Sequence, residues 1–125
     1  MKITQHLLEH NLYKIFAVIW TLIIVYLCLD DAPNVPNYSI PNKDKLVHFI
    51  FYFIFVFLWI KSKKNSTFNF TLIVLCSGLL LGVIIEVSQE NFTKSRTFDW
   101  FDILANSIGA FASFFLTKKF YKIKN

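Results

Sequence analysis

The chain has 125 residues, 55% of them hydrophobic, with 15 Phe and a mean hydropathy of +0.50; it is too apolar, and too blocked, for an ordinary soluble domain of this size. Thirteen basic against eight acidic side chains give a net charge of +5. The lysines flank apolar runs, and no stacking platform or basic groove motif accompanies them, which argues against nucleic-acid binding and assigns the charge to membrane topology.

Four apolar segments predict an all-α, integral membrane four-helix bundle. It forms a single domain over 1–125, with helices at about 13–29, 44–60, 68–88 and 99–117. The first segment, Tyr13 to Leu29, has the length and basic start of a signal peptide. No small-x-small pair follows it, so it reads as a retained helix. The connector from Asp30 to Asn42 carries Pro33, Pro36 and Pro41 and reads as a loop. Cys28 and Cys76 fall at different expected depths and read as apolar fillers, not a disulfide.

The second segment, Leu46 to Ile60, is interrupted by His48. Its fifteen residues span about 22 Å, short of a ~30 Å hydrocarbon core. It must therefore extend back through Lys45, Asp44 and Lys43, which places Lys45 and His48 on one face at i and i+3. The third segment runs from Phe68 to Val87, carries Glu86 and leads into Gln89. The fourth, Trp100 to Leu116, carries Asp102 and Asn106. Extended back to Phe98 or Asp99, with Arg96 just upstream, it sets Asp99, Asp102 and Asn106 on one stripe at i, i+3 and i+7. Gly78-x-x-x-Gly82 and Ala105-x-x-x-Gly109 are small-x-x-x-small patterns, and they predict a tight antiparallel hairpin of the third and fourth helices.

Charge distribution orients the bundle. With the N-terminus cytoplasmic, the inner side carries Lys2, Lys14, Lys61, Lys63, Lys64, Lys118, Lys119, Lys122 and Lys124. The outer side carries Lys43, Lys45, Lys94 and Arg96. That bias places both termini in the cytoplasm and eight polar residues at the outer face. Trp59 and Trp100 then fall at opposite interfaces, as belt residues do.

Ionisable groups in apolar segments are costly and usually face a bundle interior or cavity. Glu86 is a candidate proton carrier or general base; the alternative is a structural pair with Arg96 or Lys45. Asp99 and Asp102 suit a divalent ion, a shared proton or a basic ligand group, although acids at a helix N-terminus also offset the macrodipole. His48 with Glu86 and Asp102 would complete an acid/base or metal site, but no metal-ligand spacing supports one. Asn106 reads as interhelical glue or a ligand contact, Gln89 as ambiguous, and Lys45 and Arg96 as anion holders. Asp44 reads as little more than a helix cap. No cofactor is expected, with a divalent metal left open. The oligomeric state is not readable.

Three blocks of this sequence resemble a known family. Lys43-Asp-Lys-Leu-Val-His48-Phe looks like the D-K-x-x-H-F opening of VanZ-like membrane proteins. Gly82-Val-Ile-Ile-Glu86-Val-Ser-Gln89 is similar to their G-x-x-x-E-x-x-Q helix. Arg96-Thr-Phe-Asp99-Trp-Phe-Asp102-Ile-Leu-Ala-Asn106-Ser-Ile-Gly109 resembles their R-x-x-D-x-x-D-x-x-x-N-x-x-G ending. The blocks occur in the family's order and cover residues 43 to 116. The resemblance implies a bacterial, multi-pass protein of the cytoplasmic membrane with a shared polar site. The family's namesake gives low-level resistance to the lipoglycopeptide teicoplanin.

The leading expectation is an outward-facing polar pocket that binds or modifies a cell-envelope component, such as a lipid-linked precursor or an amphiphilic glycopeptide. Lys45, Gln89, Arg96, Asp99 and Asn106 would contact the ligand. One alternative is a membrane-embedded enzyme using Glu86, Asp102 and His48 on a lipid-linked substrate; no nucleophile is recognisable, since Ser88 and Ser107 lack a base partner. Another is an interaction module in which the polar residues only lock the helices. A third is a small proton-coupled carrier, although no discontinuous helix or inverted repeat is visible.

Overall fold

The computed structural model describes residues 2–31, 42–121, 123 and 124, apart from the side chains of Lys2, Ile3 and His6. The expected proline-rich connector lies almost entirely outside the described residues.

Four helices account for most of the described residues: α1 (Lys2–Leu29), α2 (Lys43–Lys61), α3 (Phe68–Phe92) and α4 (Trp100–Phe120). The all-α expectation holds. Helix α1 starts earlier than expected and α3 continues one turn further, because polar residues at a helix end do not break it and hydropathy alone cannot see them. Helix α3 begins at an extended Thr67, whose hydroxyl accepts the Phe70 N–H; α4 begins at an extended Asp99, whose carboxylate accepts the Phe101 N–H. Asn42, just before α2, has φ 64°, a left-handed turn that asparagine tolerates.

Three spans, Leu7–Leu29, Phe68–Phe92 and Trp100–Phe120, are long and apolar enough to cross a membrane. Helix α2 has 19 residues, about 28 Å, with its charges confined to the ends. It packs against each of the other helices and most extensively against α4. The packing has the polarity of a membrane bundle. Large apolar side chains such as Leu22, Ile73, Leu80, Leu104 and Phe115 are exposed, while His48, Glu86, Gln89, Asp102 and Asn106 are buried. The apolar core is built on Tyr52, Phe55, Val56 and Ile60 of α2, with Ile24, Val74, Leu75, Ile85, Ala110 and Phe114 around them.

Of the three glycines, only Gly82 makes the α3–α4 approach that their spacing predicts. Gly109 of α4 meets α2: a Cβ there would overlap the Phe49 carbonyl. Gly78 faces Phe55 and Val56 of α2, and Gly82 faces Asn106 of α4 and Tyr52 of α2. Small-residue spacing marks where a neighbour comes close, not which neighbour. The Trp59 indole N–H donates to the Thr21 hydroxyl at 3.1 Å, tying α2 to α1. Trp20 does the same with the Phe51 carbonyl at 3.0 Å. Both cysteines are free, Cys28 buried and Cys76 exposed.

The bundle has two distinct ends. At one, His10 donates to the Lys61 carbonyl at 2.9 Å, and the chain's last described residue, Lys124, pairs with Ser66 and Phe68. At the other, Asp31 accepts the backbone N–H groups of Lys94 and Ser95 at 2.8 and 3.3 Å, pinning the α3–α4 connector to the end of α1.

Candidate functional site

The eight residues singled out in the sequence gather at the second end, on α2, α3, α4 and the α3–α4 connector. Their connections alternate between α2 and α4. The Lys45 ammonium lies 2.6 Å from Asp99 Oδ2 and 3.0 Å from Asp102 Oδ1. One turn further along α2, His48 Nδ1 donates to Asn106 Oδ1 at 2.9 Å. That leaves His48 Nε2 turned toward Asp102 Oδ2 at 3.7 Å, beyond hydrogen-bond range. Asp99 does three things at once: it caps α4, pairs with Lys45, and donates its own N–H to Glu86 Oε1 at 3.0 Å. The Lys45 ammonium and, after it, the Phe101 N–H hold the Asp99 carboxyl below the usual carboxylate range.

Glu86 is fully buried, and its second oxygen, Oε2, has no hydrogen-bond partner. The structural pair with Arg96 or Lys45 does not form, since among the described residues Glu86 is held by a backbone N–H instead. Arg96 makes no ion pair among the described residues. It lines a polar cleft of about 220 Å³ together with Asp44, Gln89, Thr97, Asp99 and Asp102. Gln89 has a structural duty as well, because its amide donates to the Cys28 carbonyl at 2.8 Å and fastens α3 to α1.

Asp44 is more than a helix cap. It lies in the first turn of α2 and offers a carboxylate oxygen within 4.8 Å of ligand atoms on His48 and Asp102. The metal-ligating chemistry that the sequence suggested for His48, Glu86 and Asp102 therefore falls to Asp44, His48 and Asp102. Its donor set, one imidazole and two carboxylates, suits a divalent cation. The Lys45 ammonium beside Asp102 already supplies positive charge there, so a metal would compete with it. The Asp44–His48 spacing of i, i+4 was the available signal.

Two other residues escaped the sequence reading. Tyr52, one turn beyond His48 on α2, is buried with no hydrogen-bond partner for its hydroxyl. Asp31 organises the loop that carries Arg96, and the Lys94 N–H, ahead of its other contacts, holds the Asp31 carboxyl below the usual range.

In chemical terms the cleft offers the unpaired Arg96 guanidinium facing the carboxylates of Asp44, Asp99 and Asp102; behind its wall the Lys45 ammonium is shared by Asp99 and Asp102, and the buried Glu86 carboxyl accepts the Asp99 N–H. That set can hold an anionic group and exchange a proton with a ligand.

An uncharacterized protein of Schizosaccharomyces pombe is 34% identical over 113 residues, covering 87% of this chain and 65% of that protein. The chain thus spans just under two thirds of this relative's length. No solved structure matches. The family model described as VanZ/LLP1 matches residues 4–122, which include every residue of the polar cluster. The chain belongs to the VanZ/LLP1 family.

Proposed function

We propose that the polar end of the bundle is a membrane-embedded binding site for an envelope component that carries an anionic group near the bilayer surface. Arg96 and Lys45 hold the anion. Glu86 Oε2 receives a hydrogen-bond donor from the ligand or takes its proton, with His48 and Asp102 alongside. The observation that supports this reading is a buried Glu86 oxygen with no partner among the described residues, on a carboxylate whose other oxygen accepts the N–H of Asp99, which lines the cleft together with the unpaired Arg96. A cluster whose only task is to lock helices would be expected to satisfy its buried groups.

In this reading the protein resides in a bacterial cytoplasmic membrane, its termini are cytoplasmic and the cleft faces outward, the orientation that the nine-to-four bias of lysine and arginine suggests. A lipid-linked precursor or an amphiphilic glycopeptide would enter laterally from the bilayer. A teicoplanin phenotype is the form this activity would take where a glycopeptide is present. The relative in a yeast, whose envelope contains no peptidoglycan, favours a lipid headgroup over a peptidoglycan-specific group. The test is susceptibility to teicoplanin in a sensitive Gram-positive host expressing wild type or Glu86→Gln at matched membrane abundance. Protection by wild type alone supports the reading. Equal protection by both removes Glu86 from it.

One observation favours a second reading, a proton-coupled carrier. Beyond Asn106, the buried hydroxyls of Tyr52, Ser113 and Thr117 also lack partners, so a polar strip continues along the α2–α4 seam. Proton flux into vesicles, lost on Ser113→Ala, would support that reading against simple binding.

A further inference from the structure

A cavity of about 740 Å³ among the described residues lies away from the polar cluster. It is a lateral groove between α1 and α3, floored by Phe55 and Trp59 of α2 and walled by Ile73, Val74 and Leu81. We propose that this groove holds one glycerophospholipid with an anionic headgroup, its acyl chain along α3 and its phosphate at Lys14, Lys63 and Lys64.

Three features of the groove support this occupant. Along α3 it runs from Phe70 to Leu81, twelve residues or about 16 Å, which is close to one leaflet of a ~30 Å hydrocarbon core. The hydroxyls on its wall, those of Thr21, Ser62 and Ser77, are already satisfied within the protein. The Thr21 hydroxyl donates to the Ala17 carbonyl at 2.8 Å and accepts the Trp59 indole N–H. Ser77 donates to the Ile73 carbonyl at 2.8 Å, and Ser62 to the Trp59 carbonyl at 2.7 Å. A hydrocarbon chain therefore strands none of these hydroxyls, and a groove open to the bilayer interior fills with lipid chain rather than water.

The third feature is charge. Lys14, Lys63 and Lys64 line the same end of the groove and make no ion pair among the described residues. Lys63 is held at the mouth, its ammonium 4.5 Å from the Phe70 ring centroid. No acidic side chain lines the groove. A cationic rim at headgroup level above an apolar slot one leaflet long complements an anionic phospholipid and discriminates against a zwitterionic one. The site is separate from the polar cluster, so its fate does not depend on the reading given above.

Native mass spectrometry of the full-length protein, extracted from bilayers containing equal phosphatidylglycerol and phosphatidylcholine, tests this. Wild type is expected to retain a single phosphatidylglycerol, with a roughly tenfold preference over phosphatidylcholine. The preference should vanish in Lys14→Ala/Lys63→Ala/Lys64→Ala. It should persist in Lys118→Ala/Lys119→Ala/Lys124→Ala, which removes equal charge from the same end but away from the groove. Ser77→Trp, which fills the slot, should lose the retained lipid altogether. Thermal melting verifies that each variant is folded, and if Ser77→Trp is not, the two lysine variants decide alone. Equal retention of the two lipids by wild type overturns the proposal. So does a rim variant that keeps the preference, a control variant that loses it equally, or a groove occupied by a second copy of the chain.

Discussion

Gly109 on α4 and Phe49 on α2 touch backbone to backbone: no side chain, not even a methyl group, fits between them. This contact lies one turn from the His48–Asn106 hydrogen bond, so the closest helix approach and the polar cluster share one seam. Gly109→Ala should destabilise the protein by about 1–3 kcal/mol, since backbone must move to admit the methyl group. Gly78→Ala, whose new Cβ would meet side chains at 3.4 Å, should cost less than about 1 kcal/mol. Equilibrium unfolding in mixed micelles measures both.

Lys45 neutralises two carboxylates on α4. Lys45→Ala should destabilise by about 1–3 kcal/mol by leaving the buried Asp102 without its cation, a value at the low side because Lys45 is partly exposed. Adding Asp102→Asn should recover much of that loss. A double variant no more stable than Lys45→Ala would show that Lys45 acts through packing instead.

The His48–Asn106 bond can be weighed by a double-mutant cycle. Interhelical hydrogen bonds in membrane proteins couple by about 0.6–1.7 kcal/mol, and this buried pair should fall in that range. His48→Ala, Asn106→Ala and the double variant, unfolded under identical conditions, give the coupling directly.

Much of this site was legible in the sequence because a charged residue in an apolar run has few places to go. The short second segment forced Lys45 and His48 into a helix, and the same reasoning put Asp99, Asp102 and Asn106 on one stripe. The rest was hidden for identifiable reasons. Gln89 bonds a backbone carbonyl at Cys28, and a carbonyl acceptor leaves no mark in a sequence. Glycine spacing announced close approach but not its partner, so α2 rather than α3 receives Gly109. Asp44 was visible at i, i+4 from His48, but a position in the first turn of a helix invites the simpler reading of charge compensation.

Acid should loosen the loop that carries Arg96. The Asp31 and Asp99 carboxyls are both held below their ordinary pKa by partners that exist only in the folded protein. Their contribution is therefore complete above about pH 4, the unfolded value, and is lost as pH falls through the lower folded values. The melting temperature should be level from pH 7 to about 5 and drop below about 4. In Asp31→Asn that acid drop should be smaller, because the variant has already lost part of it at neutral pH.

The central claim is that the buried cluster performs a task and does not merely hold helices together, and Glu86→Gln addresses it most directly. The glutamine oxygen can still accept the Asp99 N–H, so the fold should survive while the ionisable group is lost. We would replace the chromosomal gene with Glu86→Gln, delete it in a parallel strain, and compare envelope lipids and lipid-linked precursors by mass spectrometry. The account predicts an envelope matching the deletion strain, with protein abundance and melting temperature at wild-type levels. An envelope matching wild type, or a protein that no longer folds, would contradict it and leave the cluster as a structural lock.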